Sequence, residues 1–212
     1  MACAICHIRK PRRSCPGVNG DICTLCCGNE REVTVNCPFE CEFLQEARKH
    51  ERTGITDADN IPNKDIVVKE EFLEDHEIVL AGVSNALLRA TLETEGAVDT
   101  DVRAALDALI RTYRTLQSGV YYEHRPDNAL ASRIFDGTQR GIEEFRRKET
   151  EQRGMAHTRD SEVLQMLVFL QRMELDRNNG RARGRAFIDF LRAFFSDTAE
   201  ALAGRSSSLI VP

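Results

Sequence analysis

The apolar positions of the chain change rhythm near residue 68. Beyond it they recur every three or four residues, the repeat of one face of a helix. Across 69–96, Leu73, His76, Leu80, Val83, Leu87 and Ala90 share such a face, and Gly96 is the stop. A second stripe of Val102, Leu106, Leu109, Tyr113 and Leu116 follows Thr100, a good N-cap, and closes at Gly119. A third, over 128–154, places Leu130, Ile134, Ile142 and Phe145 together, with Gly137 and Gly141 marking a close approach to a neighbour. The fourth starts at Asp160 or Ser161 and carries Val163, Leu164, Leu167, Val168, Leu170 and Leu175 before Asn179-Gly180. Its wide apolar arc predicts a central helix. The last holds Phe187, Ile188, Leu191, Phe194 and Phe195. Five helices with short connections and almost no strand alternation predict an all-α bundle over 69–204, with 205–212 a frayed tail. The Gly, Pro, Asn and Asp of "TGITDADNIPNKD" make 54–68 a linker.

Residues 1–53 have a different texture. Here the β-formers Val33, Thr34 and Val35 predict a short strand, stopped by Pro38. From Glu40 a helix is expected, with Phe43, Leu44 and Ala47 toward the module and Cys41 in its first turn, where the helix dipole favours a thiolate. The dominant feature is sulfur. All eight cysteines of the 212-residue chain lie between Cys3 and Cys41.

The pattern is C-x2-C at Cys3 and Cys6, then Cys15, then C-x2-C-C at Cys23, Cys26 and Cys27, then C-x3-C at Cys37 and Cys41. Two C-x2-C pairs at this separation have the spacing of a four-cysteine zinc site. A tight turn lets one pair fill two corners of a tetrahedron, and Gly28 is placed to give the second pair its backbone twist. Cys15, Cys27, Cys37 and Cys41 are left over, the number a second closed site needs. Adjacent Cys26 and Cys27 diverge, so they serve different ions. The expected sites are therefore Cys3, Cys6, Cys23 and Cys26, and Cys15, Cys27, Cys37 and Cys41, holding two Zn2+ in all. His7 or His50 could replace a cysteine in either. An iron–sulfur cluster fits less well, because the close C-x2-C-x2-C run is missing. A dithiol redox centre lacks its βαβ surroundings, and a catalytic zinc would want an open position and His or Glu ligands.

Composition narrows the setting. Hydrophobic residues make up 42% and aromatics 6% with no Trp, so the core must be aliphatic with some Phe. The net charge of −5 excludes a general polyanion binder. No apolar run approaches the roughly 20 residues of a membrane span. The N-terminus has no apolar signal segment, so the expected location is the cytoplasm. There, clustered thiols are metal or redox sites more often than disulfides.

Cys26, Cys27, Gly28, Arg31 and Val33, followed by Cys37, Pro38, Cys41, Phe43, Leu44, Ala47 and Arg48, resemble uncharacterised bacterial cysteine-rich proteins carrying CCG-x2-R-x-V and CP-x2-C-x-[YF]-L-x2-AR. The resemblance covers about the first quarter of the chain. It implies a zinc-finger-like, metal-binding module and brings no activity with it. The expected fold is mainly α: a small treble-clef-like or zinc-ribbon-like module followed by a helical bundle.

Three groups are candidates for recognition. Arg9, Lys10, Arg12 and Arg13 lie in a loop between cysteines and could grip phosphates, although residues 1–53 hold eight Lys/Arg against seven Asp/Glu. Tyr121 and Tyr122 lie on a loop between helices, where amphipathic rings suit a partner. Arg181 and Arg183, with Arg177 and Arg185, could clamp an acidic group. No nucleophile elbow, phosphate loop, H-E-x-x-H or di-iron Glu-x-x-His pattern is present. The reading is a non-enzymatic zinc protein, an adaptor or regulatory factor with a protein partner. The alternative is a nucleic-acid binder using Arg9–Arg13, and a weaker one a thiol redox sensor or enzyme.

Overall fold

The structure, a computed structural model, describes residues 2–51, 61–155 and 157–195, without the side chain of Arg153. The described residues are mainly α. A hairpin of β1 (Arg13–Cys15) and β2 (Gly20–Ile22) precedes helices α1 (Thr24–Glu30) and α2 (Glu42–Arg48). The bundle follows: α3 (Glu70–Asp75), α4 (Glu77–Leu92), α5 (Asp99–Gln117), α6 (Ala129–Arg153), α7 (Asp160–Arg177) and α8 (Ala186–Phe194). The expected stretches 196–204 and 205–212, and the linker's 54–60, lie outside the described residues.

α4 and α6 pack at close range because both offer small side chains. A Cβ on Gly141 would stand 2.6 Å from that of Ala86, and one on Gly137 2.7 Å from that of Ala90. α5 lies against α6 and α7, and α7 also touches α4 and α8. Its burial of Val163, Leu164, Met166, Leu167, Val168 and Leu170 makes it central, as its wide apolar arc predicts. Buried Glu174 is held there by a two-pronged bond from Arg103, 2.7 and 3.0 Å.

Several expectations need correction. The single helix of 69–96 is two, broken at His76 (φ −123°, ψ 29°). The imidazole Nδ1 donates to the Phe72 carbonyl at 2.8 Å, the acceptor a continuous helix would reserve for the His76 N–H. That N–H turns to Leu73 O instead. Thr100 does not cap α5. Its N-cap is Val98, whose N–H donates to the Asp101 carboxylate. Asp99, at N1, turns across the bundle and caps α8, accepting from Phe187 N (3.0 Å) and Ile188 N (3.1 Å). Similarly α7 is capped by Arg159, with Glu162 accepting its N–H, rather than by Asp160 or Ser161. Phe194, expected in the core, is 72% exposed. The described half of the linker is a strap on the bundle. Ile66 and Val68 pack on the core, while Arg172 donates to the carbonyls of Asn63 and Ile66.

In the front of the chain, Val33–Val35 is not a strand. Val35 makes only an isolated bridge to Arg31, because Glu32 at φ +51° bends the backbone back on itself. Gly28 lies inside helix α1 with open space around it, so its expected role in a knuckle is not the one it plays.

Candidate metal centre

The first cysteine pair sits in a turn that the backbone closes on itself. Cys3 N donates to Arg9 O, and His7 N to Cys3 O, both at 2.9 Å, with His7 at φ +56°. The hairpin then returns the chain, and Ala4 N bonds Asp21 O. Cys23 follows β2 directly and is the N-cap of α1, its Sγ accepting from Cys26 N at 3.4 Å. Cys23 N donates to Cys3 Sγ at 3.2 Å, tying the two pairs together. Turn, hairpin and helix N-terminus thereby bring four sulfurs to one place. The ligand atoms of Cys3, Cys6, Cys23 and Cys26 all lie within 4.8 Å of one another, and among the described residues this is the group so arranged.

The protonation of the group favours a cation. Burial opposes ionisation at Cys3, but N–H groups of Cys6, Cys23 and Ile5 outweigh it and bring the thiol down to about 6. Cys6 is lowered too, chiefly by the N–H groups of Arg9 and Ile8. Cys26 goes the other way, up to about 12, through burial and then the sulfurs of Cys23, Cys6 and Cys3. Four adjacent thiolates repel one another, and a divalent ion among them removes that conflict. Cys-only ligation at this spacing is the chemistry of a closed tetrahedral site.

The other four cysteines converge more loosely. Cys15 ends β1, Cys27 lies in α1, Cys37 follows the Glu32 bend, and Cys41 is the N-cap of α2. All four line one cavity of about 10 Å3, with Arg13, Arg31 and Phe43 at its edge. Cys27 Sγ accepts from Arg13 Nη1 at 3.2 Å and lies 3.8 Å from Arg31 Nη2. Burial pushes the Cys37 thiol up, with Cys41 and Cys15 adding to it, against a hydrogen bond from the Glu32 N–H. His7 is exposed at its turn, and exposed His50 faces Glu46 at 3.4 Å.

The basic loop is partly spent on sulfur. Arg13 stacks over Phe43 at 4.3 Å while bonding Cys27. Arg9 is exposed, with its pKa raised chiefly by the Cys23 sulfur. Lys10 and Arg12 stay exposed. Of the loop tyrosines, Tyr121 is 70% and Tyr122 60% exposed. Their segment is anchored on α5, where Thr115 Oγ1 donates to Tyr122 O and Thr112 Oγ1 accepts from His124 N. Arg181 is engaged inside the chain, donating to Arg31 O at 2.5 Å and facing Glu51 at 3.7 Å. Arg183 has an exposed side chain, and its N–H donates to Glu32 O.

Sequence reasoning missed the junction between the cysteine-rich front and the bundle. At its centre is Glu32, a carboxylate with no exposed surface. It accepts from Arg48 Nη2 (2.8 Å), Asn179 Nδ2 (2.8 Å) and Arg185 N (3.1 Å). Arg48 also pairs with Asp189 of α8, and Arg185 donates to Cys37 O while stacking on Phe39 at 4.1 Å. The available signal was the excess of arginines around 177–185, of which Arg181 and Arg185 turn their side chains to the cysteine-rich front.

No family model, curated protein or solved structure matches this chain.

Proposed function

We propose that the chain is a non-enzymatic zinc protein, an adaptor or regulatory factor of the cytoplasm. Zinc at Cys3, Cys6, Cys23 and Cys26 orders the front, and a second zinc lies among Cys15, Cys27, Cys37 and Cys41. The observation that carries the reading is the convergence of four sulfurs within 4.8 Å. Thiolates at all four corners leave no position for water or substrate, so the ion's work is structural. The shared cavity and its two arginine donors support the second ion, because cations beside sulfur offset the charge of about −2 that four thiolates and one Zn2+ leave. No helix among the described residues is long and apolar enough to cross a membrane.

The bundle provides recognition surface, and the anchored, exposed tyrosines are the best candidates for a protein partner. The test joins elemental analysis to capture from a nuclease-treated extract. Two zincs per chain and a partner lost on changing Tyr121 and Tyr122 to Ala support the reading. A metal-free protein with fast-reacting thiols contradicts it and favours redox chemistry. Nucleic-acid binding through Arg9, Lys10, Arg12 and Arg13 is the alternative, favoured by the exposure of Arg9, Lys10 and Arg12 on a loop pinned between cysteines. Salt-sensitive binding of a duplex or single strand, abolished by neutralising those four residues, would establish it.

A further inference from the structure

The two cysteine groups differ in what they touch. Among the described residues, no hydrogen bond or ion pair given by a ligand of the Cys3, Cys6, Cys23 and Cys26 group reaches the bundle. The other group is wired to it twice. Cys37 receives the Arg185 guanidinium at its carbonyl. Cys41 caps α2, whose last-turn Arg48 reaches both Glu32 and Asp189.

Between these two arms the Glu32 carboxylate is buried, and it is stable there only while Arg48, Asn179 and the Arg185 N–H surround it. Its backbone must hold φ +51°, a conformation an unbranched but bulky side chain adopts only when its surroundings dictate it. The turn is held by the Val33, Thr34 and Val35 N–H groups, all donating to Glu30 O at the end of α1, the helix that carries Cys27, while Val35 and Cys37 line the second cavity.

We propose that metal occupancy of the Cys15, Cys27, Cys37 and Cys41 group controls the docking of the Asn179–Arg185 loop and helix α8 onto the front of the chain, with Glu32 as the coupling residue. The proposal rests on the second zinc site of the preceding reading. With the ion in place, Cys37 and Cys41 are fixed, the turn holds Glu32 inward, and the loop is anchored at Asn179, Arg183 and Arg185. Without it, nothing ties Cys37 and Cys41 to Cys15 and Cys27, and the turn loosens. The carboxylate then moves to water, and the three anchors are lost together. Coupling of this kind is reciprocal: whatever the ion adds to docking, docking adds to the ion's affinity.

The experiment uses the full zinc-loaded chain, with native mass for zinc count and hydrogen exchange at the Arg183 and Arg185 amides. Cys15→Ser removes a ligand that makes no contact at the junction. The expected result is one zinc lost and exchange at both amides faster by about tenfold or more. One zinc lost with exchange unchanged overturns the coupling and leaves the two-site reading intact. A single zinc in both the unaltered chain and Cys15→Ser shows that the second group holds no ion, and the coupling falls with it. Should Cys15→Ser fail to fold, Glu32→Gln keeps every cysteine. It should retain two zincs, speed the same amides, and lower about tenfold the chelator concentration that extracts the second zinc. Equal extraction from Glu32→Gln and the unaltered chain would overturn the proposal.

Discussion

Two apolar clusters divide the molecule, and they are filled by different chemistry. The bundle core is mainly Leu, Val, Ile, Ala and Phe, with Phe135, Leu106, Leu109, Met166 and Phe187 wholly enclosed. Of the eight buried residues in the front cluster, five are cysteines, and only Ile22, Val35 and Leu44 are aliphatic. So small an aliphatic set cannot offset the ordering entropy of about 50 residues. Structural zinc, worth roughly 10–16 kcal/mol in small domains, can. The bundle is held by apolar area removed from water; on the proposed reading the front is held by bonds to an ion.

That contrast predicts different responses to damage. The largest effect is expected from Cys6→Ser, which removes a corner of the tighter group. The front should lose its amide protection at every temperature, while far-ultraviolet circular dichroism keeps the bundle's helical signal. A single joint collapse would show that the two regions are one cooperative unit. Next comes Phe135→Ala in the bundle. Loss of a fully enclosed ring costs about 4 kcal/mol. Denaturant titration should show this loss while the zinc count stays the same.

A smaller effect concerns Asp99, raised to about 7 mainly by burial, against N–H bonds from Phe187 and Ile188. A raised carboxyl binds its proton in the folded state where the unfolded chain has released it. Its contribution is therefore complete below about pH 4 and is lost as pH climbs toward about 7. Between about pH 5 and pH 7 the unaltered chain should lose roughly 2 kcal/mol that Asp99→Asn does not. Parallel stability curves for the two proteins would contradict the assignment.

The contrast also explains what was legible in the sequence. Periodicity reports burial on one face, so the bundle, the central place of α7 and the glycine-lined contact of α6 could be read from spacing. Ligand type and spacing report metal chemistry, so the group of Cys3, Cys6, Cys23 and Cys26 could be read as well. Helix boundaries depended on where single side chains bond. His76 taking the Phe72 carbonyl and Asp99 capping a distant helix leave no periodic trace. The junction was hidden for the same reason. Glu32 meets Asn179 and Arg185 across about 150 residues, and no local pattern marks a buried carboxylate whose partners lie that far away.

The central claim, that ions bound to deprotonated sulfur fold the front of the chain, is tested most directly by mapping hydrogen exchange over residues 2–51 before and after zinc is removed by a chelator under reducing conditions. The account predicts that protection at Cys23, Cys26 and Cys27 disappears with the metal and returns on adding zinc back, while α5 and α7 stay protected throughout. Equal protection of those three amides in the stripped and loaded protein would contradict it.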